Sequence, residues 1–433
     1  MSFALFLMVN AMLFIRPAEF HPALLGLPIY EVCILACLAS AYQRVLAEVQ
    51  PARLIARPVN ACAVAMVPAI VIATVANGDP ARAFEAGLDF VKLLIYFFLL
   101  VSVVDTPRRL STFLGWIGVF ALVITTLAVL HYHGIVNVPA LHFVEDGIDD
   151  DGNTDSTFRR LGSTGLFQDP NDMCLMLVMA MTICLYQMLE HRRWYWLPPL
   201  FLFGHALMLT HSRGGFLAML LALGILLLAR FGRKALPLGL VVIPGVLVLF
   251  AGRQTSFGSA LSGSGTGLSR LQLWHEGLLL FIRTPLYGIG VDRYAEEVGH
   301  VAHNSFIHCY VELGLIGGTI FLGAFYLAFW PLVRLGGRAV PSVLLGEELT
   351  RLRPYLMAIV GGYAGGLLSL SCPYTIPTYT VLGLASVYQS LSEEKLGVPL
   401  VRINTPLLQR VAILSGTVVV GLVLGVRLLA RVG

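Results

Sequence analysis

The chain has 433 residues, 57% of them hydrophobic and only 12% charged, with a mean hydropathy of +0.80. That balance excludes a soluble protein of two or three domains and identifies a membrane protein.

In chain order, apolar stretches of roughly 18 to 22 residues recur, long enough at about 1.5 Å per residue to cross about 30 Å of hydrocarbon as helices. Spans are predicted at 2–15, 24–46, 58–77, 84–104, 110–132, 171–189, 194–210, 214–230, 235–251, 305–333, 354–371, 376–392 and 411–430. The count is about thirteen; twelve is the alternative, because the first span is short and those within 354–392 are rich in Gly and Pro. The expected fold class is therefore all-α, a polytopic transmembrane helical bundle forming a single integral membrane domain over 1–433. The opening segment Ser2 to Phe14 has neither a basic n-region nor a small-residue cleavage site, so it is expected as retained structure rather than a signal peptide. The seven cysteines lie in or beside apolar segments without metal-type spacing, and read as small core residues.

Orientation follows from the basic residues, because short cytoplasmic loops carry the excess of Lys and Arg. Arg44, Arg53, Arg57, Arg108, Arg109, Arg192, Arg193, Arg230, Arg233, Lys234, Arg334, Arg338, Arg351, Arg353, Lys395, Arg402 and Arg410 alternate consistently with the spans and mark the cytoplasmic side. The opposite, external side holds the only long loops, 133–170 and 252–304, and function is expected there. The first is acidic at Glu145, Asp146, Asp149, Asp150, Asp151 and Asp155, the pattern of a solvated loop, and turns basic at Arg159 and Arg160. The second opens with Gly263 to Gly267, a flexible composition, and continues into a helix from Ser269 to Arg283. Leu271, Trp274, Leu278 and Phe281 recur there at helical spacing, which predicts an amphipathic helix lying on the membrane surface with its stripe toward lipid.

The cations on this external face are nearly all arginine: Arg16, Arg82, Arg159, Arg160, Arg213, Arg253, Arg270, Arg283 and Arg293, joined by Lys92 in the outer half of a span. Arginine on that side runs against the topology rule. Bidentate binding of a phosphate is one reason to keep it, and headgroup snorkelling or a local ion pair is the other. Arg213 stands out because His211-Ser212-Arg213-Gly214-Gly215 is a tight turn between two spans, where glycines allow close approach of a ligand. His300, His303 and His308 end the second loop. Their spacing fits no common zinc pattern; a histidine there suits proton transfer near neutral pH, and a structural histidine capping a helix start is the alternative.

His303-Asn304, followed by Gly314-Leu315-Ile316-Gly317, resembles the signature of the O-antigen ligase and O-antigen polymerase superfamily of bacterial inner-membrane glycosyltransferases. Arg160 to Asn171 (RLGSTGLFQDPN) is similar to the family's stretch from the first large loop into a span, and THSRGG to its Ser-Arg-Gly turn. Ser269-Arg270 with Trp274, then Pro285 to Gly290, resembles the segment that precedes the family's histidine. The resemblance covers residues from about 60 to about 340 in order. It implies an inverting, metal-independent and cofactor-free transfer of a glycan from undecaprenyl diphosphate to an acceptor hydroxyl. His303 would be the general base, with His300 and His308 dispensable. Arg213 and Arg270 would be the foremost diphosphate ligands, then Arg160 and Lys92, then Arg82. The acceptor would be a lipid A core sugar in a ligase or a second lipid-linked glycan in a polymerase, and ligase is the preferred reading. Membrane lipids are the remaining expected partners, and no nucleic acid is expected. The family commonly has twelve spans with both termini inside, and the Asp169-Pro170-Asn171-Asp172 version of its Pro-Asn motif departs from the commoner form. The rival class is a transporter of lipid-linked glycans. It is disfavoured because no internal repeat is visible and Glu31, Lys92, Asp172 and Glu312 lie near the outer ends of their spans rather than at the midplane.

Overall fold

The computed structural model describes residues 1–20, 24, 26–138, 140–141, 144–146, 158–163, 165–235, 237, 239–240, 245, 266–336 and 342–429. Most of the predicted span 235–251, Arg253, the acidic residues after Asp146 and Gly263 to Gly265 lie outside the described residues. The principal helices are α1 (Ser2–Ile15), α2 (Ile29–Val49), α3 (Pro58–Ala76), α4 (Pro80–Val103), α5 (Pro107–Tyr132), α6 (Pro170–His191), α7 (Leu197–Leu209) and α8 (Arg213–Phe231). They continue as α9 (Thr266–Arg283), α10 (Tyr294–Val298), α11 (Ser305–Leu335), α12 (Glu347–Gly366), α13 (Ile376–Leu396) and α14 (Thr405–Leu429). Among the described residues eight helices are long and apolar enough to cross a membrane, and the chain is a multi-pass, all-α membrane protein. The predicted spans coincide with these helices to within a few residues at most ends. α1 and α7, with 14 and 13 residues, are shorter than a full crossing.

The helix starts are written locally. Proline, whose fixed φ and missing N–H suit a first turn, opens α3, α4, α5 and α6. Side chains then satisfy the first-turn amides. Thr106 accepts from Arg109 N in α5, Asp169 from Asn171 N in α6 and Ser212 from Gly215 N in α8. In lipid these caps matter more than in water, because an orphan backbone group has no solvent to turn to.

The helices fall into two compact units. The first comprises residues 1–42, 103–253 and 347–366. Its centre is α6, buried along most of its length, with α5, α7, α8 and α12 around it. Gly362 and Gly366 of α12 lie against Ala222, Ala218 and Leu175 so closely that a Cβ at either glycine would collide. Small residues four apart let two helices approach where no hydrophobic effect drives them together. This unit also holds the short antiparallel ladder of β1 (Val144–Asp146) with β2 (Phe158–Arg160), in which Glu145 pairs with Arg159. Part of the loop expected to be simply solvated is therefore ordered.

The second unit comprises residues 43–102, 254–346 and 367–433. Its centre is α11, packed on α3, α9, α13 and α14. Here α9 departs from expectation. Its stripe points into protein: Leu278 and Phe281 are buried with Tyr294, Ile307 and Tyr310, while Leu271 and Trp274 pack on the same cluster together with Val418, Val419 and Leu422 of α14. Helical periodicity shows that a stripe must be covered but not by what, and here protein covers it.

α11 is not one continuous helix. Gly314, at φ 64° and ψ −164°, interrupts it. A regular helix would join the Leu315 and Ile316 amides to the Val311 and Glu312 carbonyls. Instead those carbonyls accept from Ile289 N at 3.0 Å and Gly290 N at 2.9 Å, while Leu315 N and Ile316 N donate to the carbonyls of Pro285 at 2.8 Å and Leu286 at 3.4 Å. Each backbone group freed by the break is thus satisfied by the segment 285–290. The two chains cross so closely that a Cβ on Gly288 would strike the backbone of Val311 and Glu312, and one on Gly314 the backbone of Leu286 and Tyr287. This crossing is the physical content of the two glycine motifs read in the sequence.

Candidate functional site

In the first unit, Arg160 and Arg213 are brought into one neighbourhood. The turn between α7 and α8 places His211 at φ 52°, Ser212 as N-cap and Arg213 as the first residue of α8. Asn171, in the first turn of α6, ties this turn down: its Oδ1 accepts from Ser212 Oγ at 2.7 Å and from Arg160 Nη2 at 3.1 Å. Arg160 Nε donates to the Thr210 carbonyl at 2.9 Å, and Leu161 N to the Leu209 carbonyl at 2.9 Å. Thr210 Oγ1 in turn meets Cys174 Sγ at 2.9 Å, and Gly215 leaves no space for a Cβ beside Cys174. Arg160 therefore clamps the turn that presents Arg213. Arg213 itself is half-buried at a helix start, where first-turn amides and the positive end of the helix dipole favour an anion.

In the second unit, His303 occupies the corner before α11. It is half-buried, with φ at 48°, a left-handed conformation uncommon for any residue but Gly, although Asn, Asp and His enter it more readily than the rest. It lies outside the helix, since Asn304 is the N-cap and accepts from Phe306 N and Ile307 N, both at 3.1 Å. Both flanks of the corner are pinned: Trp274 Nε1 donates to the Ala302 carbonyl at 2.6 Å, and Ser305 Oγ donates to the Leu370 carbonyl at 2.6 Å while accepting from Cys372 N at 3.0 Å. Arg270, half-buried, stands one turn before Trp274 on the same face of α9. Trp274 thus links the helix that carries Arg270 to the residue just before His303. The His300 ring is exposed and 6.3 Å from that of His303.

Arg82 and Lys92 face carboxylates. Arg82 donates through both terminal nitrogens to Glu296, each at 3.0 Å, and Asp79 accepts from its backbone N–H at 3.0 Å. That fork holds the Glu296 carboxyl below its ordinary value. Lys92 pairs with Asp89 at 2.7 Å on an exposed face. Nearby, burial and then the charge of Glu312 push the Asp292 carboxyl up. Among the described residues no group of three or more His, Cys, Asp or Glu side chains is gathered as a metal site would need.

Sequence reasoning named Asn171, Ser212 and Trp274 only as parts of motifs or of an apolar stripe, without their hydrogen bonds, and did not single out Ser305. The Ser212 and Asn304 caps have a local signal, a polar residue just before an apolar helix. The roles of Asn171, Trp274 and Ser305 rest on contacts to residues far along the chain and have none.

Residues 198–322 match the family described as O-antigen ligase. No curated protein matches the chain. The matched stretch contains Arg213, Arg270 and His303, whereas Arg82, Lys92 and Arg160 precede it.

Proposed function

We propose that this chain, whose residues 198–322 match the family described as O-antigen ligase, moves a glycan from undecaprenyl diphosphate to an acceptor hydroxyl on the periplasmic face of the bacterial inner membrane. The observation that carries the reading is that a single family match spans Arg213, Arg270 and His303 together.

The chemistry suits these groups. The acceptor oxygen attacks the anomeric carbon from the face opposite the diphosphate, so the new C–O bond forms as the old one breaks and configuration inverts. The diphosphate leaves with the bonding electrons and gains charge. Guanidinium groups directed at that charge in a water-poor headgroup zone would lower the barrier by several kcal/mol. Arg213 and Arg270 are the proposed ligands. Arg160 clamps the Arg213 turn and contributes charge there, while Arg82 and Lys92 would have to exchange Glu296 and Asp89 for phosphate. His303 takes the acceptor's proton, a contribution of about 10²–10⁴-fold. The arginines supply the charge stabilisation that a metal ion provides in other transferases, so the proposed transfer is metal-independent.

The preferred acceptor is a lipid A core sugar. Deleting the gene and examining the envelope glycan tests this: free polymer with uncapped lipid A core supports the ligase, and single repeats in place of polymer assign a polymerase. An unchanged envelope glycan contradicts both.

A further inference from the structure

Glu312 carries a carboxylate that is completely buried in α11. A buried charge is costly to keep, and well-packed apolar residues replace many such groups with no loss of stability. Its surroundings suggest what keeps it. Glu312 Oε1 accepts from Tyr294 N at 3.3 Å, and Oε2 from the Tyr374 hydroxyl at 3.2 Å. His308 Nε2 lies 3.1 Å from Oε2, its ring parallel to that of Tyr294 at 5.4 Å. The Glu312 carbonyl accepts from Gly290 N at 2.9 Å, at the crossing with segment 285–290. Separate stretches of chain therefore converge on one side chain.

Each stretch leads back to His303. From Tyr294, the hydroxyl donates to the Leu273 carbonyl at 2.8 Å, and the next residue, Trp274, donates to the carbonyl of Ala302, immediately before His303. From Tyr374, the same segment runs back to Cys372 and Leu370, which hold Ser305 just past the corner. One arm grips the residue before the Asn304-capped corner and the other the residue after it, and both end on the Glu312 carboxylate. A left-handed histidine is strained and stays in place only where its surroundings over-determine it.

We propose that Glu312 is the positioning residue of the His303 corner, joining the two arms that hold it in its left-handed conformation. The inference rests on the reading of His303 as the base, and it concerns placement rather than proton transfer by Glu312 itself. Glu312→Gln tests it with little change of volume. The amide can keep its oxygen toward Tyr294 N only by turning its N–H₂ toward Tyr374, so the hydroxyl must reverse from donor to acceptor and the charge-assisted bond that holds this arm is lost, which loosens it.

The full chain in proteoliposomes, given undecaprenyl-diphosphate-linked glycan and acceptor, should show kcat reduced by at least about 10-fold per folded molecule, because a displacement of about 1 Å is enough to cost such a factor. KM for the lipid donor should stay within about 2-fold, since uniform binding by Arg213 and Arg270 is untouched. A purely structural role would instead lower the yield of folded chain and leave kcat per folded molecule unchanged. A second measurement needs no transfer activity: the rate at which diethylpyrocarbonate modifies His303, followed by mass spectrometry, should rise by about 5-fold or more in Glu312→Gln as the corner opens. If wild type transfers nothing, the functional reading fails while the modification rate still judges the positioning. Unchanged kcat per folded molecule, or an unchanged His303 modification rate, overturns the inference.

Discussion

His303 and Arg213 share a design: each sits just before or at the first residue of a helix, on a turn fixed by hydrogen bonds to the helix caps Asn304 and Ser212. Such placement holds a side chain more firmly than a loop would, yet leaves it at the end of the helix where a ligand can approach. The His-Asn pair and the Ser-Arg-Gly-Gly turn were both legible in the sequence because caps and turns are local chemistry. The clamp by Arg160 was not. In the sequence Arg160 reads as a further diphosphate ligand, and its clamping role emerges only when Asn171 and Thr210 are seen to receive its hydrogen bonds. If Arg213 and Arg270 bind the diphosphate as forks, replacing either with Ala should lower transfer by at least about 10²-fold, and Lys should recover little of it, because a point charge cannot reproduce two parallel hydrogen bonds. Steady-state rates of the purified variants check this. Full activity in either Lys variant removes the bidentate argument.

At the scale of elements, the helices were predicted nearly to their ends because hydropathy over a span is a property of neighbouring residues. The direction in which a helix turns its stripe is not such a property, and α9 shows the difference: Leu278 and Phe281 meet Tyr294, Ile307 and Tyr310 rather than lipid. The crossing of segment 285–290 with the break in α11 was equally hidden. Its glycines appeared as a motif, while the exchange of hydrogen bonds that requires them joins residues far apart in sequence. That crossing should be intolerant of any side chain. Gly314→Ala adds about 1–3 kcal/mol of backbone strain from its positive φ alone, with the collision against Leu286 and Tyr287 on top. Thermal unfolding in detergent should show Gly314→Ala and Gly288→Ala markedly less stable than wild type. Gly425→Ala in α14, where a Cβ would meet nothing within 4 Å, should change the midpoint little. Equal stability of all three would mean that the crossing does not form.

For the whole molecule, the basic loops predict that 133–170 and 252–304 face the periplasm together with His303, Arg213 and Arg270. Reporter fusions at Gly152 and Gly265 check the orientation, and cytoplasmic-type activity at either site reverses it. In the sequence the proposed function rests on an ensemble of motifs, each weak alone, because an acceptor hydroxyl and a lipid diphosphate would leave no single diagnostic residue. The central claim is that His303 removes the acceptor's proton while other groups hold the donor. Its most direct test compares wild type with His303→Gln in proteoliposomes, measuring both binding of undecaprenyl-diphosphate-linked glycan and its transfer to acceptor. An amide keeps a hydrogen bond but cannot take a proton, so donor binding should stay within about 2-fold while transfer falls by about 10²–10⁴-fold. Turnover by His303→Gln close to that of wild type would contradict the account.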